Sequence, residues 1–247
     1  MTNLVIDIGN SFTKIAIFEK DDLLKVEQYQ QPDIRQIENF IGSNIIGKTI
    51  ISSVKQVKEA WHLSLVDKHP VVYFNSGIKA GINNHYKTPG TLGADRLAAV
   101  IGANYLYPAV ANVVISGGTC ITYDYIDAGA NYFGGSISPG LKMRYKAVNE
   151  FTAALPLINA DSDFDAAYGD DTESAIKSGV QNGIKYELEG FINNYIKTQK
   201  AYNIILSGGD SIFFDTLLKN SIFAPYIKIE PYLVLKGLNA AIQKHND

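Results

Sequence analysis

Two glycine-rich turns follow apolar strand patterns at matching places in the two halves of the chain. The first follows Leu4-Val5-Ile6 and reads Asp7-Ile8-Gly9-Asn10-Ser11-Phe12-Thr13-Lys14. The second follows Val113-Val114-Ile115 and reads Ser116-Gly117-Gly118-Thr119. Glycine lets backbone N–H groups approach an anion closely, and Ser, Thr and Asn add further donors. A doubled turn therefore predicts two related half-domains that hold one polyphosphate, an arrangement that favours a kinase.

The strand and helix patterns divide the chain into two α/β halves. Residues 1–110 show the order β-β-β-α-β-α-β followed by a helix, and residues 111–247 show β-β-β-α-α-β-α. We predict a first half with the first phosphate turn and a second half with the second one. Sequence identity between the halves is negligible, so the repeat is one of organisation only.

Composition narrows the possible partners. The chain has 247 residues, 46% hydrophobic and 19% charged, with a net charge of −3. No basic patch stands out, which argues against nucleic acid as a partner. No apolar stretch approaches the roughly 20 residues that span a bilayer. With a single cysteine, Cys120, the chain is expected to be a cytoplasmic protein without a membrane partner.

The first turn offers a carboxylate and an ammonium group. Asp7 ends a buried strand, where it can hold a hydrated Mg²⁺–phosphate unit, because Mg²⁺ keeps much of its water shell. Lys14 would point along the next strand towards the phosphates. A plain hairpin turn with a surface lysine explains the same residues equally well. The turn is not a Walker A motif, because no helix follows it and its glycine spacing differs.

The segment from Tyr86 to Arg96 is the most distinctive part of the chain. Asp95 and Arg96 stand at the start of a helix pattern. An aspartate suits a general base that takes a hydroxyl proton, and an arginine suits bidentate recognition of a carboxylate. Helix capping by Asp95 with a structural salt bridge to Arg96 is the alternative explanation.

A third glycine turn follows a buried strand near the C-terminus. It reads Ser207-Gly208-Gly209-Asp210, and backbone this bare can approach a nucleotide. A simple strand-to-helix turn with Asp210 as the N-cap is the alternative.

In this order, these segments resemble type III pantothenate kinases, which belong to the superfamily of acetate and sugar kinases, Hsp70 and actin. The resemblance covers nearly the whole chain. The segments that match are the first phosphate turn, Thr88-Pro89 through Leu92-Gly93-Ala94-Asp95-Arg96, Gly118-Thr119 with Thr122 and Asp124, Gly134 through Leu141, Thr172 with Ala175-Ile176 and Gly179, and Ser207 through Asp210.

The resemblance implies two ribonuclease H-like, actin-like half-domains of βββαβαβα type, with the active site in the cleft between them. It implies phosphorylation of pantothenate by ATP to 4′-phosphopantothenate, the first step of coenzyme A synthesis, by a homodimer. Asp95 would accept the proton. The implied pantothenate-binding residues are Tyr86, Gly93, Ala94, Asp95, Arg96 and, from the partner subunit, Thr172. The implied ATP-binding residues are Asp7, Ile8, Gly9, Asn10, Ser11, Phe12, Thr13, Lys14, Thr119, Gly208 and Gly209.

Two cations also follow from the resemblance. Asp7 would bind Mg²⁺ through phosphate and water. Ser116 stands where the family usually has an aspartate that helps to bind K⁺ or NH₄⁺. A neutral hydroxyl is a poorer cation ligand than a carboxylate, so either backbone carbonyls and Ser116 together hold K⁺, or its place is filled in another way.

Two other functions remain open at this point. One is a kinase of the same fold that acts on another small hydroxyl compound. The other is a non-catalytic accessory or regulatory relative, although such a protein would be expected to lose Asp7, Lys14, Asp95 or Arg96, all of which are present.

Overall fold

The computed structural model describes residues 1–54, 61–78, 80–197, 199 and 201–245. Its strands are β1 (Thr2–Ile8), β2 (Thr13–Glu19), β3 (Asp22–Tyr29), β4 (Ile46–Ser53), β5 (Val71–Tyr73), β6 (Asn83–Asn84), β7 (Ala111–Gly117), β8 (Cys120–Ile126), β9 (Asn131–Pro139), β10 (Tyr202–Gly208) and β11 (Ile227–Ile229). Its α-helices are α1 (Ile34–Ile41), α2 (Trp61–Lys68), α3 (Ala94–Leu106), α4 (Leu141–Glu150), α5 (Thr172–Lys177), α6 (Gly183–Ile196), α7 (Ser211–Leu218) and α8 (Leu233–Lys244). None of the helices within these ranges is long and apolar enough to cross a membrane.

The contacts group the chain into two compact units. The first contains Met1–Pro108, Ala130–Phe133 and Tyr232–Asp247. The second contains Ala109–Gly129 and Gly134–Pro231. The division of the chain into residues 1–110 and 111–247 stays a prediction.

The sheet of the first unit has the strand order β3-β2-β1-β4-β5. Its first three strands are antiparallel, as predicted, and β4 and β5 pair in parallel. Side chains alternate between the two faces of a strand. One face therefore carries the apolar side chains Leu4, Ile6 and Ile8, which pack with Ile37 and Phe40 of α1 in a fully buried cluster.

The other face of this sheet carries polar side chains where β1 ends. Asp7 lies directly opposite Lys14 on β2 and directly opposite Ser52 on β4. Helix α8 packs on this face, since the Asn3 amide donates to Asn239 Oδ1 at 2.9 Å. The row formed by Lys14, Asp7 and Ser52, called here the polar row, is thus a product of strand register.

Two glycines allow α3 and α8 to pack with their backbones in contact. A Cβ added to Gly237 would lie 1.8 Å from Ala98 O, and one added to Gly102 would lie 2.6 Å from Leu233 O. Real Cβ atoms do not approach a backbone oxygen this closely, so both positions require glycine. The crossing fixes the direction of α3 and, with it, the place of the first turn that carries Asp95.

The second sheet has the strand order β11-β10-β7-β8-β9-β6. Strand β10 pairs in parallel with β7 on one side and with β11 on the other, whereas β8 is antiparallel to β7. In the second unit, Val113, Ile115 and Tyr123 pack in a buried cluster with Ile184 and Leu188 of α6. The apolar period of the sequence predicts one long helix over Thr172–Ile196, but a π-helical turn at Ser178–Asn182 interrupts it.

We expect Gly237→Ala to lower the free energy of unfolding by about 3 kcal/mol, because overpacking against backbone forces α3 and α8 apart. Chemical denaturation followed by circular dichroism measures the change. Gly190→Ala is the matched control: Gly190 is an exposed helical glycine, and no heavy atom of the described residues lies within 4 Å of its added Cβ. That variant should be unchanged or more stable by up to about 1 kcal/mol. Equal stability of the two variants would contradict the α3–α8 packing.

Candidate active site

Asp7 is the buried charge of the polar row. Burial and, to a smaller extent, the negative charge of Asp95 raise the pKa of Asp7, whereas Lys14 and the Ser52 hydroxyl lower it, and the net pKa is about 6. The Ser52 hydroxyl approaches this carboxyl without ordinary hydrogen-bond geometry. Neither Asp7 Oδ1 nor Ser52 Oγ, both buried, has a hydrogen-bond partner in the part of the chain that the structure describes.

The first glycine turn closes next to Asp7. Gly9 N donates to Phe12 O at 3.0 Å, which leaves Asn10 and Ser11 exposed at the tip. An open cavity of about 450 Å³ is lined by Asn10, Ser11, Gln30 and Gln31. Ile8 and Thr13 lie opposite each other in the β1–β2 pair, on the apolar face of the sheet, so these two residues can offer only backbone atoms to a ligand on the other face.

Asp95 stands on the first turn of α3 with its side chain exposed. Its Oδ1 accepts a hydrogen bond from Arg96 N at 2.9 Å. Gly93, rather than Asp95, is the N-cap residue, and Asp95 instead satisfies one free N–H of the first helical turn. A Cβ at Gly93 would lie 2.6 Å from Asp95 Oδ1, which shows how closely the preceding turn approaches this carboxylate. The first phosphate turn and the Asp95 segment meet in one unit, since the charge of Asp95 reaches Asp7.

Arg96 is held against aromatic side chains. It is only 5% exposed, and its guanidinium carbon lies 5.8 Å from the centre of the Tyr86 ring. The Tyr86 ring stacks in turn on Tyr132 at 6.4 Å, with the planes 8° apart. Stacking of this kind restricts the rotamers of an arginine side chain and so fixes the position of its guanidinium group.

In the second unit, register brings the other two glycine turns together. Gly117 lies opposite Gly208 in the β7–β10 pair. Gly208 has a φ of +80°, and a Cβ there would lie 2.2 Å from Gly117 O. A Cβ at Gly140 would likewise lie 2.5 Å from Thr119 O. The backbone is therefore bare around both turns, and Gly209 and Thr119 are exposed beside it.

Ser116 is the first residue of the second glycine turn and lies near the end of β7, where it is half-buried. Its Oγ is buried and has no hydrogen-bond partner among the described residues. Asp210 in the third turn contacts the next residue of β7, because its backbone N–H donates to Gly117 O at 3.4 Å. Burial raises the pKa of Asp210, and the Lys142 ammonium lowers it. The Asp210 side chain makes no capping hydrogen bond to α7, although the residue occupies the N-cap position.

Thr172 is the exposed first residue of α5, in the second unit. Asp171 caps this helix by accepting from Ser174 N at 2.7 Å. The preceding loop packs tightly on the helix, because a Cβ at Gly169 would lie 2.0 Å from Ala175 N. These contacts fix the loop that precedes α5 and therefore the position of Thr172 at the start of the helix.

Sequence reasoning missed a polar network that ties β8, β9, α4 and α6 together. Glu187 accepts hydrogen bonds from Tyr123 Oη at 2.7 Å, from Ser138 Oγ at 2.5 Å and from Arg144 Nη2 at 2.6 Å. Burial raises the pKa of Glu187, but these donors outweigh it, and the net direction is downward.

It also missed Gln181 and Ser52. Gln181, in the π-helical turn, accepts from Tyr145 Oη at 2.8 Å and exchanges two hydrogen bonds with the Asp161 backbone. The sequence did contain one indication for Ser52: it follows the apolar run of β4, just as Asp7 follows that of β1.

The comparisons with known proteins agree with this geometry. A family model described as type III pantothenate kinase matches residues 3–194. The type III pantothenate kinase of Phocaeicola vulgatus is 41% identical over 247 residues, which cover 99% of each chain.

Two solved structures share the fold. A Campylobacter jejuni protein described as a Baf family transcriptional activator matches with a TM-score of 0.63 and 22% identity over 98% of each chain. A Listeria monocytogenes protein described as an N-acetylmannosamine kinase matches with a TM-score of 0.62 and 13% identity over 100% of each chain. The predicted α/β, actin-like fold class is confirmed, while a site in the cleft between the halves stays a prediction.

Asp7→Asn should stabilise the metal-free protein, and the gain should depend on pH. With a pKa of about 6, against 3.8 without the protein environment, folded Asp7 binds a proton more tightly than unfolded Asp7. Wild-type stability therefore falls as pH rises between these values. The variant should match wild type near pH 4 and exceed it by about 3 kcal/mol above pH 7, at about 1.4 kcal/mol per pKa unit. Urea unfolding at both pH values measures this, and a gain that is the same at both would contradict the burial of the charge.

Proposed function

We propose a residue-level mechanism for this chain, which belongs to the type III pantothenate kinase family and phosphorylates pantothenate in coenzyme A biosynthesis. The Asp95 carboxylate accepts the proton of the primary hydroxyl while that oxygen attacks the γ-phosphorus of ATP. A new O–P bond forms, the bond from the γ-phosphorus to the bridging oxygen breaks, and ADP leaves. The observation that carries this assignment is the exposed Asp95 carboxylate on α3, within electrostatic reach of the buried Asp7.

The base in this reaction can be weak. Phosphoryl transfer passes through a loose transition state and depends mainly on positioning and on stabilisation of charge. Asp95 is suited to this because the α3–α8 crossing fixes its helix and the Arg96 N–H orients its carboxylate. The Asp95 carboxylate is thus oriented by contacts of the backbone.

Pantothenate recognition falls to the residues around Asp95. Arg96, held against Tyr86, presents a planar set of donors that suits the pantothenate carboxylate. Gly93 and Ala94 bring backbone close to the substrate at the start of α3. We assign the partner subunit's Thr172 to the same substrate.

ATP binding is assigned to three bare turns. The phosphates are held by Thr119 and by the turn that runs from Asp7 to Lys14. The adenosine lies against Gly208 and Gly209. Support comes from the glycine positions, since side chains at Gly140 and Gly208 would collide with backbone and one at Gly117 would collide with the Phe214 ring. Backbone free of Cβ atoms can approach a phosphate or a flat ring.

The residues present also fit Mg²⁺. Asp7 Oδ1 is a buried carboxylate oxygen that lacks a partner among the described residues. The described residues contain no group of three or more His, Cys, Asp or Glu side chains placed to hold a metal, which suits an ion that keeps most of its waters. When bound, Mg²⁺ neutralises charge on the β- and γ-phosphate oxygens. Lys14 adds a second positive charge on the same face.

We also propose that the protein is a homodimer. Large apolar side chains of the second unit are exposed, with Phe151 at 86%, Tyr168 at 79% and Tyr186 at 60%. Burial of such side chains drives association. Light scattering should give twice the 27.1 kDa of the chain, and a value of 27.1 kDa would remove the partner's Thr172 from the site.

Asp95→Asn should reduce turnover by at least about a hundredfold, the usual contribution of a general base, because the amide cannot accept the proton. Its affinity for Mg-ATP should stay near wild type. A coupled ADP-release assay and mass spectrometry of the phosphorylated product measure turnover, and calorimetry with Mg-ATP measures affinity. Wild-type turnover in this variant would exclude Asp95 as the base.

Arg96→Ala is the companion variant. It should raise the KM for pantothenate by roughly tenfold or more, the effect of losing a charge-assisted hydrogen bond, and leave the KM for ATP nearly unchanged. Equal increases in both constants would count against recognition of the substrate carboxylate by Arg96.

The monovalent cation gives a further prediction. We propose that K⁺ or NH₄⁺ is held near Ser116 by its buried hydroxyl and by backbone carbonyls. A carboxylate is a stronger ligand, so Ser116→Asp should lower the K⁺ concentration for half-maximal activity. Rates measured in K⁺, NH₄⁺ and Na⁺ at constant ionic strength provide the comparison. An unchanged K⁺ dependence in the variant would place the cation elsewhere.

A further inference from the structure

Ser52 combines two properties that are rarely found together. It is fully buried, and its Oγ has no hydrogen-bond partner within the described ranges of the chain. Leaving a buried hydroxyl without a partner is unfavourable, and native proteins keep such groups where a ligand, an ion or a water satisfies them. The surroundings of Ser52 should therefore show what its hydroxyl binds.

The strand register places Ser52 beside a second oxygen in the same condition. Ser52 lies directly opposite Asp7 in the parallel β1–β4 pair, and Asp7 Oδ1 is also buried and unpartnered among the described residues. Lys14 completes the row on the other side of Asp7, and Asp95 acts on it from α3. The hydroxyl thus lies at the carboxylate to which the phosphate-bound metal is assigned.

The chemistry of the two oxygens is complementary to a hydrated cation. A serine hydroxyl donates one hydrogen bond and accepts others at the same time. Its proton can point to the Asp7 carboxylate, because the strand register places the two residues directly opposite each other. Its lone pairs stay free for a water that is bound to the metal, because such a water is a strong donor.

We propose that Ser52 is a positioning residue for phosphoryl transfer: its hydroxyl orients the Asp7 carboxylate and accepts a hydrogen bond from one water of the Mg²⁺ hydration shell. This proposal rests on the assignment of Asp7 to Mg²⁺ made above. Ser52 touches neither the phosphoryl group nor pantothenate in this arrangement. It fixes the place of the ion and, through the ion, that of the γ-phosphate.

The same strand provides a matched control. Thr49 is also fully buried, and its Oγ1 likewise has no partner among the described residues. It pairs with Leu4, however, and so faces the apolar core on the opposite side of the sheet. Thr49→Val removes a buried hydroxyl from β4 at nearly constant volume without changing the face that carries Asp7.

The test measures binding of Mn²⁺, which replaces Mg²⁺ as a paramagnetic probe, to the full chain in the presence of ADP. Electron paramagnetic resonance reports free Mn²⁺ in wild type, Ser52→Ala, Thr49→Val and Asp7→Asn. We expect Ser52→Ala to weaken Mn²⁺ binding by at least about tenfold, the effect of one hydrogen bond to a charged group. Thr49→Val should bind Mn²⁺ like wild type, and the affinity of Ser52→Ala for ADP without metal should not change.

Three outcomes separate the assignments. Unchanged Mn²⁺ affinity in Ser52→Ala, together with lost binding in Asp7→Asn, would overturn the role of Ser52 alone. Unchanged affinity in both would also overturn the role of Asp7. An equal loss in Thr49→Val would show that any buried hydroxyl of β4 has the same effect, which overturns the proposal as well. If Ser52→Ala does not fold, Ser52→Cys serves instead, because a thiol of similar size is a weak acceptor.

Kinetics adds a readout that a purely structural role would not change. In Ser52→Ala the Mg²⁺ concentration for half-maximal rate should rise and kcat should fall, while the KM for pantothenate stays within twofold of wild type. Ser52→Thr keeps the hydroxyl and should restore Mn²⁺ affinity. A rise in the pantothenate KM as large as the fall in kcat would contradict a role through the metal.

Discussion

The contact between α3 and α8 is the constraint on which the candidate site depends. Each helix has a glycine at the crossing, Gly102 in α3 and Gly237 in α8, and the absence of side chains there lets the two backbones come into contact. Helix α8 rests on the sheet face that carries Asp7, as the bond from Asn3 to Asn239 shows. The direction of α3, and hence the place of Asp95 on its first turn, is therefore set by a contact between elements more than a hundred residues apart in sequence.

The site also depends on a carboxylate, that of Asp7, being shielded from solvent. Burial, together with the negative charge of Asp95, raises the pKa of Asp7 to about 6. A carboxylate charge in such surroundings favours a nearby cation, because the unfavourable charge is then neutralised. On the proposed assignment of Mg²⁺ to Asp7, binding of the metal would offset the cost of burying this charge.

Local sequence patterns predicted much of this arrangement. The three antiparallel strands, the glycine turns and the start of α3 depend on residues near one another in the chain, and the structure confirms them. Contacts set by distant segments were not predictable. Ser52 becomes a neighbour of Asp7 only through the parallel β1–β4 pairing, and Gln181 faces Asp161 only because a π-helical turn interrupts a regular apolar pattern.

The central claim is that Asp7 and Asp95 share one electrostatic site. Carbon-13 NMR of labelled aspartate carboxyls can follow the titration of Asp7 directly, in wild type and in Asp95→Asn, without metal or nucleotide. The account predicts a pKa of about 6 for Asp7 in wild type and a lower value in the variant, since Asp95 raises it. An Asp7 pKa near 3.8 in wild type, or one that does not change when Asp95 loses its charge, would contradict the shared site.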